Sequence, residues 1–503
     1  MRRNGCKWNG CLMGIILFCV IFAICLEDAQ AIPVFARKYK TSCATCHEAY
    51  PRLNGVGEAF RLNGYKFADD ELYIKDEPVE LGDEAYKRLW PNAIWPSDMP
   101  GIPPISITLD NDFTYDIGGT EKARSEFKTP RLAKILGAGA FGDNVSAFVE
   151  LSFERQGAGS AAHHGGTATT EGTETDVAGW IQFEDLFEKE NLYNFRVGTI
   201  GMHEIGLFTH RGHNRFSITN YFYGITTPGL TSHNLEAAIA GILPGKHDGT
   251  FKGSPFNLHA QPGIELNGFN KRWRYALGLT NGNGNKFNDN NTEKDVYFQL
   301  AHKIGGIGFD GSGMSDNDDL GAGSDPWVDD SVTLSLFGYY GTATIEIDSA
   351  QETLATDDDY SSKEPDRFWR IGPGILWRTG DLQLGGGYIW GKNENMFGAA
   401  AAGRQAVDSQ SWFVEANYFA KPWLIPYVRY ETTKFSNLPK EVTTDDEASF
   451  ANGIDQSRIV VGTKMLLRAN VTLGLEGLFY TKDDRRTTND DKSQFIASLR
   501  IAF

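Results

Sequence analysis

Cysteine is nearly absent from this 503-residue chain once its first 31 residues are set aside. Cys6, Cys11, Cys19 and Cys25 lie in that leading stretch, and Cys43 and Cys46 are the two that remain. Two cysteines exclude a disulfide-stapled scaffold. Beyond residue 31 no run approaches the roughly 20 apolar residues a membrane helix needs, which excludes a helical membrane protein. Basic residues are in deficit: 48 Lys and Arg stand against 65 Asp and Glu, a net charge of −17. A surface of that sign repels nucleic acid and attracts cations.

Residues 1–31 have the layout of a secretory signal peptide. Arg2, Arg3 and Lys7 form a basic start, Cys11 to Leu26 an apolar core, and Ala29-Gln30-Ala31 a small-residue cleavage site before Ile32. Removing them takes the remaining cysteines to two and leaves an exported chain. An uncleaved anchor is the other reading of this segment.

Within that exported chain the two cysteines stand in Cys43-Ala44-Thr45-Cys46-His47, a C-x-x-C-H. Two thiols at this spacing add across the vinyl groups of one haem, and the adjoining histidine supplies an axial iron ligand. The pattern therefore predicts one covalently attached haem c, with Cys43 and Cys46 as attachment points and His47 as the proximal ligand. An unused thiol pair or a single disulfide is the bland alternative.

Residues 32–103 suggest a small α-helical haem domain. Pro51 suits a first helical position, Leu53, Val56 and Phe60 form a stripe, and Gly64 suits a helix end. A second short helix is expected over 83–89. A proline-rich exit follows at Pro91, Pro96, Pro100, Pro103 and Pro104.

From residue 104 onward the period changes to two. Val471, Leu473, Leu475, Gly477 and Phe479 share one strand face, while Thr472, Gly474 and Glu476 share the other. Such runs predict an all-β transmembrane barrel, closed because lipid cannot satisfy open strand edges. About 16 antiparallel strands are expected, starting near 105, 129, 144, 176, 193, 262, 271, 294, 331, 367, 381, 410, 423, 457, 470 and 494. Short and long connections alternate between them, as between periplasmic turns and outside loops. The segment 304–330 breaks the rule, being long on the short side, and leaves fourteen or eighteen strands open. A soluble β-sandwich or solenoid is the competing architecture for 104–503.

The distal haem ligand is harder to place. Residues 48–162 contain no histidine and one methionine, Met99, set in Trp95-Pro96-Ser97-Asp98-Met99-Pro100. Its thioether is the candidate sixth ligand, and His/Met ligation raises a haem potential; ordinary linker packing is the alternative. His203, His210 and His213 lie in the longest expected loop, which could fold into the pore and meet the haem domain. His163 and His164 are weaker candidates. The segments Gly305–Asp310 and Asp316–Gly321 resemble calcium loops, but Ser312, Leu320 and Trp327 fall where those motifs need other residues. Acidic segments 357–359, 445–447, 483–484 and 490–491 could gather divalent cations, or serve only for solubility.

Ile32-Pro33-Val34-Phe35-Ala36-Arg37, the Cys43–His47 motif, Pro51-x-Leu53 and Phe60-x-x-x-Gly64-Tyr65 together resemble the fused monohaem cytochrome–porin family of iron-oxidising bacteria. The specific likeness covers residues 32–65; the barrel is similar in architecture only. The resemblance implies an N-terminal c-type cytochrome joined to an outer-membrane porin of a Gram-negative cell. It further implies oxidation of extracellular Fe(II), and a haem placed within the pore could pass the electrons to a periplasmic c-type cytochrome. Two other readings stay open: a solute porin with a haem-based sensor or gate, and a conduit exporting electrons.

Overall fold

The computed structural model describes positions 35 and 39, residues 45–49, 52–65, 105–117, 125–140, 144–156, 172–200, 216–218, 251–253, 261–282, 291–313, 328–348, 361–395, 406–437, 455–468, 470–483 and 493–502. A short hairpin comes first, β1 (His47–Ala49) against β2 (Arg52–Leu53), followed by helix α1 (Gly55–Leu62). The helix therefore starts after Asn54, not at Pro51, and Leu53 belongs to the hairpin. The physical reason is the cap: Asn54 has extended backbone and its side chain accepts a bond from Gly57 N–H, which a proline at that end could not replace.

The remaining strands are β3 (Ile105–Ile117), β4 (Ser125–Ala140), β5 (Val145–Gln156), β6 (Gly172–Phe183), β7 (Asn194–Ile200), β8 (Phe251–Gly253), β9 (Gln261–Phe269), β10 (Trp273–Thr280), β11 (Asp295–Gly305) and β12 (Ser331–Asp348). After them come β13 (Ser361–Thr379), β14 (Leu382–Asn393), β15 (Val407–Tyr418), β16 (Leu424–Ser436), β17 (Gln456–Arg468), β18 (Val471–Asp483) and β19 (Ser493–Ala502). All but β8 form one closed antiparallel barrel of sixteen strands. It closes where β19 pairs with β3, Leu499 opposite Asn111. The short β8 lies against the far end of β12, and β7 pairs directly with β9.

The alternation is inside-out. Along β11, Asp295, Tyr297, Gln299, Ala301 and Lys303 are buried toward the lumen, while Val296, Phe298 and Leu300 are exposed. β15 repeats this with Ser409, Ser411, Phe413, Glu415 and Asn417 inward and Val414 outward. Exposed Trp273, Trp377, Tyr418 and Trp423 ring the short-turn end, and exposed Tyr115, Tyr340, Trp369 and Trp390 stand nearer the other. An apolar exterior between aromatic girdles is the surface of a barrel that sits in lipid. Among the described residues no helix is long and apolar enough to cross a membrane.

The connection 306–330 is long although it lies at the short-turn end. Among its described residues it adds no strand to the barrel. Its beginning instead turns back onto α1: Ile307 abuts Gly55, and Phe309 joins Leu62, Phe269 and Ala301 in one buried cluster. The length that disturbs the strand count in the sequence builds a seat for the N-terminal segment.

Candidate functional site

Residues 45–65 are docked on the lumen side of the barrel's short-turn end. The C-x-x-C-H stretch is stitched to the helix by Asn54. Its backbone N–H donates to the Cys46 carbonyl at 3.1 Å, and its side-chain amide donates to the Thr45 carbonyl at 3.0 Å. The same side chain accepts from Gly57 N–H at 2.9 Å. Gly57 has no room for a side chain: a Cβ there would lie 2.0 Å from the Cys46 carbonyl oxygen.

Two kinds of contact fix this segment to the wall. Aromatic rings make the first. Phe60 meets Phe35, Tyr39 and Tyr65, and Tyr65 stacks on Phe148 and Trp180 at 6.2 Å each. Buried charge makes the second. Glu48 accepts from the Gln383 amide at 2.7 Å, pairs with Arg52 Nε at 3.0 Å and faces Arg378 at 3.6 Å. Arg378 also reaches Asp329 at 3.3 Å, and Asp329 binds Lys303 at 2.8 Å. Arg274 pairs with Glu58 at 3.3 Å. Buried charges are tolerable only when so compensated.

Burial alone would push the Glu58 carboxyl up, but Lys303, Arg274, Arg378 and Arg61 outweigh it and hold the group below its ordinary value. Burial acts likewise on Asp329, and Lys303, Arg378 and the Ile307 N–H hold it low. A depressed carboxylate stabilises the native state above its ordinary pKa and ceases to do so as pH falls through the depressed one. Docking of 45–65 should therefore be complete above about pH 5 and weaken only in stronger acid. Trp180 fluorescence, sensitive to its stack on Tyr65, should report the loss. Asp329→Asn should make that curve shallower; an unchanged acid profile would contradict the assignment.

Cys46 and His47, the described part of the motif, are compatible with a covalently held haem. His47 Nδ1 lies 3.3 Å from the Arg52 carbonyl. A carbonyl only accepts, so Nδ1 carries the proton in this contact, and Nε2 is the nitrogen that would face a haem iron. Cys46 is half-buried. Arg52 is 4% exposed, and its Nη1 has no hydrogen-bond acceptor among the described residues, a setting suited to an anionic group. Cys43, Met99, His163, His164, His203, His210 and His213 lie outside the described residues, as do the expected helix 83–89, the proline-rich exit and the acidic segments apart from Asp483. Among the described residues no group of three His, Cys, Asp or Glu is placed to hold a metal ion.

Sequence reasoning missed Glu48, Arg52, Asn54 and Gly57. Asn54 carried a readable signal, an Asn three residues before a helical Gly at a cap position. Glu48 and Arg52 had none, since their wall partners are remote in sequence.

The fold and wall define a sixteen-strand outer-membrane-type barrel with an N-terminal segment seated in its lumen. No family model and no curated protein matches the chain. Among solved structures it is similar to OmpT of Vibrio cholerae, with 11% identity over 79% of this chain and 97% of that one, TM-score 0.43. It is similar to the outer membrane channel DcaP of Acinetobacter baumannii, with 10% identity over 79% and 96%, TM-score 0.46. The anion-selective porin from Comamonas acidovorans gives 12% identity over 79% and 98%, TM-score 0.44. The architecture here rests on the strand pairing itself.

Proposed function

We propose that the protein is an outer-membrane electron conduit that takes single electrons from extracellular Fe(II) and passes them to a periplasmic c-type cytochrome. The observation that carries this reading is the docking of the Cys46–His47 hairpin on the lumen wall of a closed barrel. A hydrocarbon layer is roughly 30 Å thick, too far for an electron to cross from a carrier held outside it. A carrier held in the lumen is bounded by protein, with water beyond both barrel ends. Bound haem supplies a one-electron couple. Cys43 and Cys46 would hold it, and His47 and Met99 would ligate its iron. Fe(II) is the substrate: it gives up one electron and leaves as Fe(III), and the electron continues to the acceptor with no bond made or broken. The resemblance of residues 32–65 to the cytochrome–porins of iron oxidisers supports Fe(II) as donor, and the acidic loop segments suit a cation.

Met99→Ala should abolish the sulfur-to-iron charge-transfer band of the ferric protein; an unchanged spectrum eliminates Met99. The whole reading is tested with purified protein in sealed liposomes, its orientation fixed by thiol labelling of Thr444→Cys. External Fe(II) should reduce the haem when the long-loop side faces out. Reduction only from the short-turn side sinks the surface-oxidation reading. A solute porin with a redox gate, which the barrel fold equally allows, then becomes the better account.

A further inference from the structure

One described piece of the long connection between β7 and β9, residues 216–218, lies against the lumen wall far from both strands. Tyr427, one of its partners, stands on β16, eight strands from β7 in either direction around the ring. Phe216, Ser217 and Ile218 thus stand on the wall opposite β7. A socket receives them. Glu476, fully buried on β18, accepts from Ser217 Oγ at 2.7 Å, from Ile218 N–H at 2.8 Å and from Tyr427 OH at 2.8 Å. Gly474 leaves room for Ile218, whose Cδ1 would stand 3.0 Å from a Cβ there. Phe216 is wholly buried among Phe419, Ile425, Tyr427, Val460 and Leu478.

The N-terminal hairpin meets this socket through Arg52. The Arg52 guanidinium lies over the Phe216 ring at 4.2 Å from its centroid, and its Nε forms an ion pair with Glu48 Oε2 at 3.0 Å. A ring on one face and a carboxylate beside it keep the planar guanidinium in place. The remaining Nη1 is a buried donor without an acceptor among the described residues. A buried guanidinium nitrogen left so is costly, and a carboxylate is its natural complement. Arg52 also carries the carbonyl that orients His47. Cation and proximal ligand are therefore two residues of one β1–β2 hairpin.

We propose that Arg52 holds a carboxylate of the bound haem, and that Phe216 of the long loop is the positioning residue that sets the guanidinium in place. This rests on the haem reading above. It links the loop's seat at Glu476 to the potential of the haem, through Phe216 and then Arg52. A cation at that carboxylate favours the reduced iron, so its loss lowers the potential.

The test is an equilibrium redox titration of the purified holoprotein and its variants. Arg52→Gln should shift the midpoint potential downward, and Arg52→Lys should restore most of the shift. Phe216→Ala should lower it by less. The Arg52→Gln/Phe216→Ala pair should be no lower than Arg52→Gln alone, because the ring acts through the guanidinium. Glu476→Gln, which loosens the loop without touching the hairpin, should give the same sign as Phe216→Ala and stands in if a hairpin variant fails to mature. A wild-type potential in Arg52→Gln, or in both Phe216→Ala and Glu476→Gln, overturns the inference, as does full additivity in the double variant. A wild-type protein without covalent haem overturns the conduit reading, and this one with it.

Discussion

Gly57→Val is expected to abolish covalent haem while leaving the barrel folded. The glycine faces the Cys46 backbone, and a Cβ at position 57 would stand 2.0 Å from the carbonyl oxygen and 2.9 Å from the carbonyl carbon. Backbone atoms cannot swing aside as a side-chain tip does. Overpacking typically costs about 1–3 kcal/mol, and a β-branched residue against a carbonyl belongs at the upper end. The strain falls on the segment that Asn54 ties to Cys46 and Thr45, so Cys46, one of the two proposed attachment points, is displaced. Haem-stained denaturing gels measure the loss, and heat-modifiable electrophoretic mobility shows the barrel intact. Gly386→Ala is the control: the nearest atom to its added Cβ lies 3.5 Å away, an ordinary contact. Normal haem content in Gly57→Val would refute the packing argument.

Arg378→Ala should release the N-terminal segment from the wall. This one guanidinium stands between Glu48 at 3.6 Å and Asp329 at 3.3 Å, both buried. Its removal leaves Glu48 to Arg52 and Gln383, and Asp329 to Lys303. Breaking a buried charge cluster from one side costs about 3–5 kcal/mol, because the carboxylates remain desolvated. The segment can escape that cost by undocking into water, which the barrel strands cannot do. Proteolysis of reconstituted protein should then cut within residues 45–65, which wild type protects. Arg378→Lys should retain part of the protection. Equal resistance in Arg378→Ala and wild type would show that the aromatic contacts suffice alone.

The sixteen strands were readable because each carries its own period-two record of lipid and lumen. Where that record fades, the boundaries slip. Strands expected from 129, 176 and 367 begin at Ser125, Gly172 and Ser361, in polar ends beyond the apolar belt. The helix was legible as a stripe, yet Leu53 belongs to the hairpin, since a stripe of three cannot tell an α-turn from a strand that precedes it. The motif residues Cys46 and His47 announced themselves by spacing. Their supports did not: Glu48 meets Gln383 across 335 positions, and Glu58 meets Arg274 across 216. Sequence patterns report neighbours on one element, and these pairings exist only after closure of the barrel. The long 306–330 connection was visible as an anomaly, but its purpose was not, because the thing it seats lies at the other end of the chain.

The aromatic and ionic seating of residues 45–65 bears on how the protein melts. An eight-residue helix and a two-rung hairpin bury too little to be stable alone. The inner face of α1 is completed by Phe269, Ala301 and Phe309 of the barrel, and its charge by Arg274. The described residues of this segment are thus packed on the barrel. Residues 45–49 and 52–65 should therefore melt with the barrel, so that a change at the end of β13, at Arg378, is felt as instability near the start of the sequence.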